Sequence, residues 1–194
     1  MKPVRVLLWA LVALAVLGAG ALVLTHRSAQ PNATAQANFG GPFTLIGGDG
    51  KPFSSQALEG KPYAIYFGFT RCGDVCPTTL SRLVELRREA ANERALNIVF
   101  VTIDPTHDGP KEVGQYAELF GSPIIGLTGS QAQIDQVKKQ YGIFAQPMPH
   151  AAMGKEMEHT ATVLLFDRAG KFVATITPDE PDAGALAKLK SLAA

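Results

Sequence analysis

Two cysteines stand in this chain, at positions 72 and 76, in the run Cys72-Gly73-Asp74-Val75-Cys76-Pro77; they are the only thiols among its 194 residues. Thiolates exchange with disulfides, and they bind soft metals such as Cu(I), zinc or the iron of iron–sulfur clusters. The three-residue spacing begins to separate these chemistries. On a regular helix, residues four apart hold their Cβ atoms about 5–6 Å apart, whereas a disulfide wants about 3.5–4.5 Å. Gly73-Asp74 can turn the loop enough to close a bridge, but a wider and more flexible pair suits an ion between the sulfurs. A purely structural bridge is the weakest reading, because so short a loop takes little entropy from the unfolded chain.

The pattern around the pair says what must position it. Tyr63-Ala64-Ile65-Tyr66-Phe67-Gly68-Phe69 reads as a buried strand that ends just before the first cysteine. Pro77 suits the first turn of a helix, where its missing N–H costs nothing. A helix is therefore expected from Pro77 to about Glu93, with Leu80, Leu83, Val84 and Leu86 on its apolar face. That places Cys76 near the N-cap and Cys72 in the loop leading in. The helix dipole, the free N–H groups and Arg71 are then expected to lower both thiol pKa values and present both sulfurs as thiolates.

Residues 96–103 read as the next strand, 111–120 as a helix, 124–127 as a short strand and 131–141 as a helix. Residues 161–166 and 172–176 form a hairpin around Asp167-Arg168-Ala169-Gly170-Lys171, and 183–192 a closing amphipathic helix. Upstream, residues 43–46 and 51–53 flank the turn Gly47-Gly48-Asp49-Gly50 as a short amino-terminal hairpin. The order implies an α/β fold: a thioredoxin-like mixed sheet flanked by helices, with that hairpin added.

Two thiolates are too few for a closed zinc site, which takes four ligands, so a further donor must come from elsewhere. Of the four histidines, His26 lies at the end of an apolar segment and His107 sits in a polar loop, where solvation is expected. His159 stands immediately before the strand at 161–166, which a thioredoxin-like sheet places beside the cysteine loop. It is the candidate third donor.

From Val6 to Leu24 runs an uncharged stretch of 19 residues, preceded by Lys2 and Arg5 and followed by Arg27, after which no charge occurs until Asp49. That length crosses a hydrocarbon core as a helix, and the flanking charge keeps the amino terminus cytoplasmic. Residues 1–27 are expected to be a retained amino-terminal membrane anchor. A cleaved signal peptide is the competing reading, with small-residue patterns at Ala19-Gly20-Ala21 and Ala35-Gln36-Ala37. Residues 28–40, poor in charge and rich in Ala, Gln and Asn, read as a flexible tether, and 41–194 as one folded domain on the non-cytoplasmic side, in a periplasm or its equivalent. Beyond Arg27 the chain carries 15 basic and 17 acidic residues, with no basic stripe for a phosphate backbone, so no nucleic-acid partner is expected.

The run Phe67-Gly68-Phe69-Thr70-Arg71-Cys72-Gly73-Asp74-Val75-Cys76-Pro77, the later Thr102-Ile103-Asp104-Pro105 with Asp108, and a histidine opening the penultimate hairpin together resemble the Sco/SenC family. The resemblance covers roughly residues 40–194. It implies a membrane-anchored, thioredoxin-like metallochaperone that binds copper, as Cu(I) or Cu(II), and helps assemble the CuA centre of cytochrome c oxidase. It also implies that Cys72, Cys76 and His159 are the copper ligands, that the CuA-bearing subunit is the partner, with another periplasmic copper chaperone as a further one, and that Asp104 lies near the site. Arg71 and Gly73 stand where histidine and proline are common in the family. The alternative function is a thiol–disulfide oxidoreductase that uses Cys72 and Cys76 as a redox-active pair to keep the acceptor's cysteines reduced. A thioredoxin-like peroxidase, suggested by Thr70 two residues before Cys72, would not require His159. Met148, Met153 and Met157, with His150 among them, form a thioether-rich stretch that either fills gaps or captures Cu(I) on its way to the site.

Overall fold

The computed structural model describes residues 39–90, 95–148 and 157–193. The chain divides into two units, Met1–Asn38 and Phe39–Ala194. The expected anchor and nearly all of the tether fall in the first unit, outside the described residues. Among the described residues, no helix is long and apolar enough to cross a membrane.

The second unit is built on a seven-stranded sheet. Its strands in chain order are β1 (Thr44–Gly47), β2 (Pro52–Ser54), β3 (Tyr63–Gly68), β4 (Asn97–Thr102), β5 (Ile125–Thr128), β8 (Val163–Phe166) and β9 (Phe172–Ile176). Across the sheet they run β2-β1-β5-β4-β3-β8-β9. The central pairs β3–β4 and β4–β5 are parallel, and the outer pairs are antiparallel. Among the described residues there are four α-helices, α1 (Val75–Ala90), α2 (Pro110–Glu118), α3 (Gln131–Gln140) and α4 (Asp182–Ala193), and a short 3-10 helix at Ser55–Leu58.

All six residues of β3 are buried, as expected of a central strand covered on both faces. Strand alternation divides them. Gly68 faces Cys76 of α1 and Phe100 of β4, and Phe100 in turn packs on Tyr116 of α2, with 5.1 Å between ring centroids. Phe67 points the other way, to Tyr141 just beyond α3. Helices α1 and α2 therefore share one face of the sheet, α4 packs on α1, and Tyr141 closes the opposite face. Phe39 stacks on Phe166 and meets Phe172 edge-on, fixing the start of the unit against the β8–β9 hairpin.

The structure corrects the sequence reading in two places. Helix α1 begins at Val75, two residues before Pro77, so Cys76 sits inside the first turn and not at the N-cap. The Asp74 carbonyl accepts the Thr78 N–H and its carboxylate accepts the Thr78 hydroxyl, so Asp74 starts the helix. The second departure is a separate antiparallel ribbon, β6 (Ala145–Pro147) with β7 (Met157–His159). Each strand is only three residues long, Ala145-Gln146-Pro147 against Met157-Glu158-His159, too short for a periodic signal.

Candidate metal centre

Strand β3 ends at Gly68, and the loop 69–74 carries Cys72 over the sheet's carboxyl end to α1. Two carboxylates on the far side of β4 hold that loop. Asp108, fully buried, accepts the Thr70 N–H at 2.8 Å, the Thr70 hydroxyl at 2.5 Å and the Thr102 hydroxyl at 2.6 Å. Asp104 accepts from the Arg71 guanidinium at 2.6 Å and meets His107 Nδ1 at 2.9 Å. Burial acts to raise the Asp104 pKa, but the bonds from His107 and Arg71 outweigh it and hold the carboxyl below its ordinary range. Two expectations change accordingly. Arg71 is engaged by Asp104 beside the cysteine loop, and His107, half-exposed, is a partner of Asp104 as well as a solvated group.

His159 arrives on the ribbon and not on β8. Ala145 pairs with His159, and Thr160 fastens the next step: its N–H bonds the Phe144 carbonyl and its hydroxyl accepts the Phe144 N–H. The imidazole lies edge-on to Phe69 and Tyr66, with centroids 5.9 and 6.2 Å away. Its Nδ1 is 3.2 Å from the Thr160 carbonyl. A carbonyl can only accept, so Nδ1 carries the proton and Nε2 presents a lone pair. That Nε2 is 3.6 Å from Cys76 Sγ. Cys72 Sγ, in turn, accepts the Cys76 N–H at 3.3 Å.

The two sulfurs and the imidazole nitrogen all lie within 4.8 Å of one another. Residues 72, 76 and 159, singled out from sequence, thus come together, and among the described residues no other histidine, cysteine or acid joins them. Two soft sulfurs and one borderline nitrogen, converging at this separation, fit a thiophilic ion of low coordination number and fall short of a closed four-ligand zinc site.

The protonation state of Cys76 differs from expectation. Cys76 is fully buried, and burial pushes its thiol up to about 12, opposed only in part by the Phe69 backbone amide. The helix terminus does not deliver a free thiolate there; a soft cation bound at this sulfur would have to displace that proton. His159 moves in the direction that favours metal, since burial lowers its pKa and keeps the ring neutral. This has a consequence for pH. The unfolded imidazole takes a proton near its ordinary 6.5 and the folded one only at lower pH. The unfolded chain therefore binds more protons in that interval, so the metal-free protein loses stability as pH falls below about 6.5. Thermal unfolding followed from pH 8 to 5 should show the decline, and His159→Ala should flatten it.

Of the thioether stretch, Met148 is exposed just beyond β6 and Met157 opens β7. Met153 and His150 lie outside the described residues. Sequence reasoning missed the bonds made by Asp108, and it missed Tyr66, whose hydroxyl is 3.6 Å from Cys76 Sγ. The parity of β3 was the available clue, because Tyr66 and Gly68 share a face.

A thioredoxin-like sheet whose βα turn carries two thiols, met by an imidazole from a late ribbon, defines a class: dithiol proteins equipped to hold a soft metal. The chain belongs to the SCO1/SenC family, whose family model matches residues 31–194. It is 34% identical over 170 residues to a SCO2-like protein of Rickettsia conorii, covering 81% of this chain and 82% of that one. Among solved structures it is similar to Bradyrhizobium japonicum ScoI with copper bound, with a TM-score of 0.71 and 35% identity over 79% of this chain and 99% of that one. It is also similar to yeast Sco1 with copper bound, with a TM-score of 0.70 and 29% identity over 79% of this chain and 87% of that one.

Proposed function

We propose that this protein binds copper through Cys72, Cys76 and His159 and passes it, by ligand exchange, to the CuA-bearing subunit of cytochrome c oxidase during assembly of that centre. The observation that carries the reading is the convergence of the three donor atoms within 4.8 Å. The soft donor set, family membership and similarity to two copper-bound structures support it. In this reading residues 1–27 anchor the chain, 28–40 tether it, and the domain at 41–194 works on the non-cytoplasmic side, taking copper from another chaperone there.

Copper is cargo in this scheme. Two thiolates and a neutral imidazole give a net charge of −1 with Cu(I) and zero with Cu(II), so neither oxidation state is strongly excluded. Release requires the ligands to leave one at a time. Cys72 suits the first departure, since it is partly exposed on a loop while Cys76 is buried in a helix.

A second reading draws on that same asymmetry. A partly exposed Cys72 beside a buried Cys76 can act as attacking and resolving thiols in disulfide exchange, which would keep the acceptor's cysteines reduced. Copper titration of the full chain in detergent tests the leading function. One copper per chain is expected, with a sulfur-to-copper charge-transfer band in the Cu(II) form and protection of both thiols from alkylation. Failure to bind copper, or binding that leaves both thiols reactive, would sink it.

A further inference from the structure

Tyr66 lies fully buried on β3, on the face of the sheet that carries α1. Its hydroxyl approaches Cys76 Sγ at 3.6 Å, and its ring meets the His159 ring at 6.2 Å between centroids with an interplanar angle of 69°. One side chain thus touches two of the three donors. The contact exists because residue 68 is glycine. A Cβ there would stand 2.8 Å from Cys76 Sγ and 3.1 Å from the edge of the Tyr66 ring, closer than packed atoms tolerate. The missing side chain leaves room for hydroxyl and sulfur to meet.

While Cys76 is a thiol, either group can donate to the other. A metal-bound sulfur has no proton and can only accept, so the bond then runs from the Tyr66 O–H to the sulfur. A phenol is neutral at ordinary pH, so the hydroxyl is available as the donor. A hydrogen bond to a ligating thiolate withdraws electron density from it. Cu(II) depends more on sulfur donation than Cu(I) does, and the Cu(I) state carries the extra negative charge that a donor offsets. Hydrogen bonding around a copper-bound sulfur therefore tunes the potential.

We propose that Tyr66 is a positioning residue that sets the oxidation-state preference of the site: its hydroxyl bonds the metal-bound Cys76 sulfur and favours Cu(I) over Cu(II). The inference rests on copper being held by Cys72, Cys76 and His159. A phenyl ring in the same place would keep the edge-on contact with His159 but lose the bond to sulfur.

The test compares the full chain in detergent with its Tyr66→Phe variant. The variant should still bind one copper per chain. Its charge-transfer band should move to lower energy, and the ratio of Cu(II) to Cu(I) dissociation constants should shift about tenfold toward Cu(II), equivalent to a potential lower by about 59 mV for one electron. A merely structural role would weaken both oxidation states alike and leave the ratio alone. A copper-loaded wild type with an indifferent variant overturns the proposal and leaves the copper reading standing. A wild type that binds no copper overturns both. Should the variant fail to fold, resonance Raman of the wild-type Cu(II) form supplies the answer: the Cu–S stretch should shift between H2O and D2O, and an unshifted stretch overturns the proposal.

Discussion

Replacing His159 with alanine should weaken copper binding by more than about 100-fold. Residues that merely support a metal ligand typically contribute 10–100-fold to affinity, and here the loss would take one of only three donors. The remaining pair, Cys72 and Cys76, would face an opening walled by Tyr66 and Phe69, with no other described histidine, cysteine or acid able to take the vacant place. Folding should survive, because the ribbon is held by its own pairing and by the bonds between Phe144 and Thr160. Disulfide exchange through the two cysteines should also survive, since the sulfurs and the hydrogen bond from the Cys76 N–H to Cys72 Sγ are untouched. Competition against a Cu(I) chelator, run beside an assay of disulfide reduction, separates the two activities. Copper affinity within a few-fold of wild type would remove the imidazole from the site. Loss of both activities together would mean that copper transfer and dithiol chemistry cannot be separated in this protein.

Asp108→Ala is expected to produce the largest loss of stability. The carboxylate is fully buried and accepts three hydrogen bonds, while its own backbone carbonyl takes the Thr128 hydroxyl at 2.6 Å. Alanine would strand the Thr70 N–H and hydroxyl and the Thr102 hydroxyl. Each buried donor left without an acceptor costs about 1–3 kcal/mol, and relaxation makes the sum less than additive. A net loss of about 3 kcal/mol lowers the melting temperature by roughly 6–12 °C for a domain of this size. Because Thr70 lies two residues before Cys72, the same change should loosen the cysteine loop and reduce copper affinity by about 10–100-fold while leaving Cys72, Cys76 and His159 in the chain. Asp108→Asn, which keeps one accepting oxygen, should lie between. Calorimetry with a copper titration checks both effects, and a melting temperature within a degree of wild type would show that the three donors find other partners.

What the sequence revealed and what it hid divide along one physical line. The central strand, the helix after Pro77 and the cysteine pair follow from local composition: a run of buried aromatic and β-branched residues, a turn, and a helix-compatible start. The convergence of His159 with the cysteines was reachable too, because sheet topology alone brings the approach to β8 beside the turn after β3. The ribbon that actually carries His159 was not reachable, since two strands of three residues each are too short to show a periodicity. The thiolate expectation failed at Cys76 for a related reason. A helix terminus is legible in sequence, but how deeply a side chain is buried depends on everything packed around it, and at Cys76 burial outweighs the dipole. Asp108 shows the same limit: its type and position can be read, but its three donors come from strand ends brought together only by folding.

Phe39 enters against Phe166, which pairs with Tyr63 at the beginning of β3, whereas the sulfur pocket opens beyond Gly68 at the end of that strand. Five residue steps of extended chain, about 16 Å, separate the two poles. Phe39 is thus fixed at the pole away from the donor atoms. The end that carries the donor atoms is clear of the unit's first residue, and changing the length of chain ahead of Phe39 should leave the copper affinity untouched.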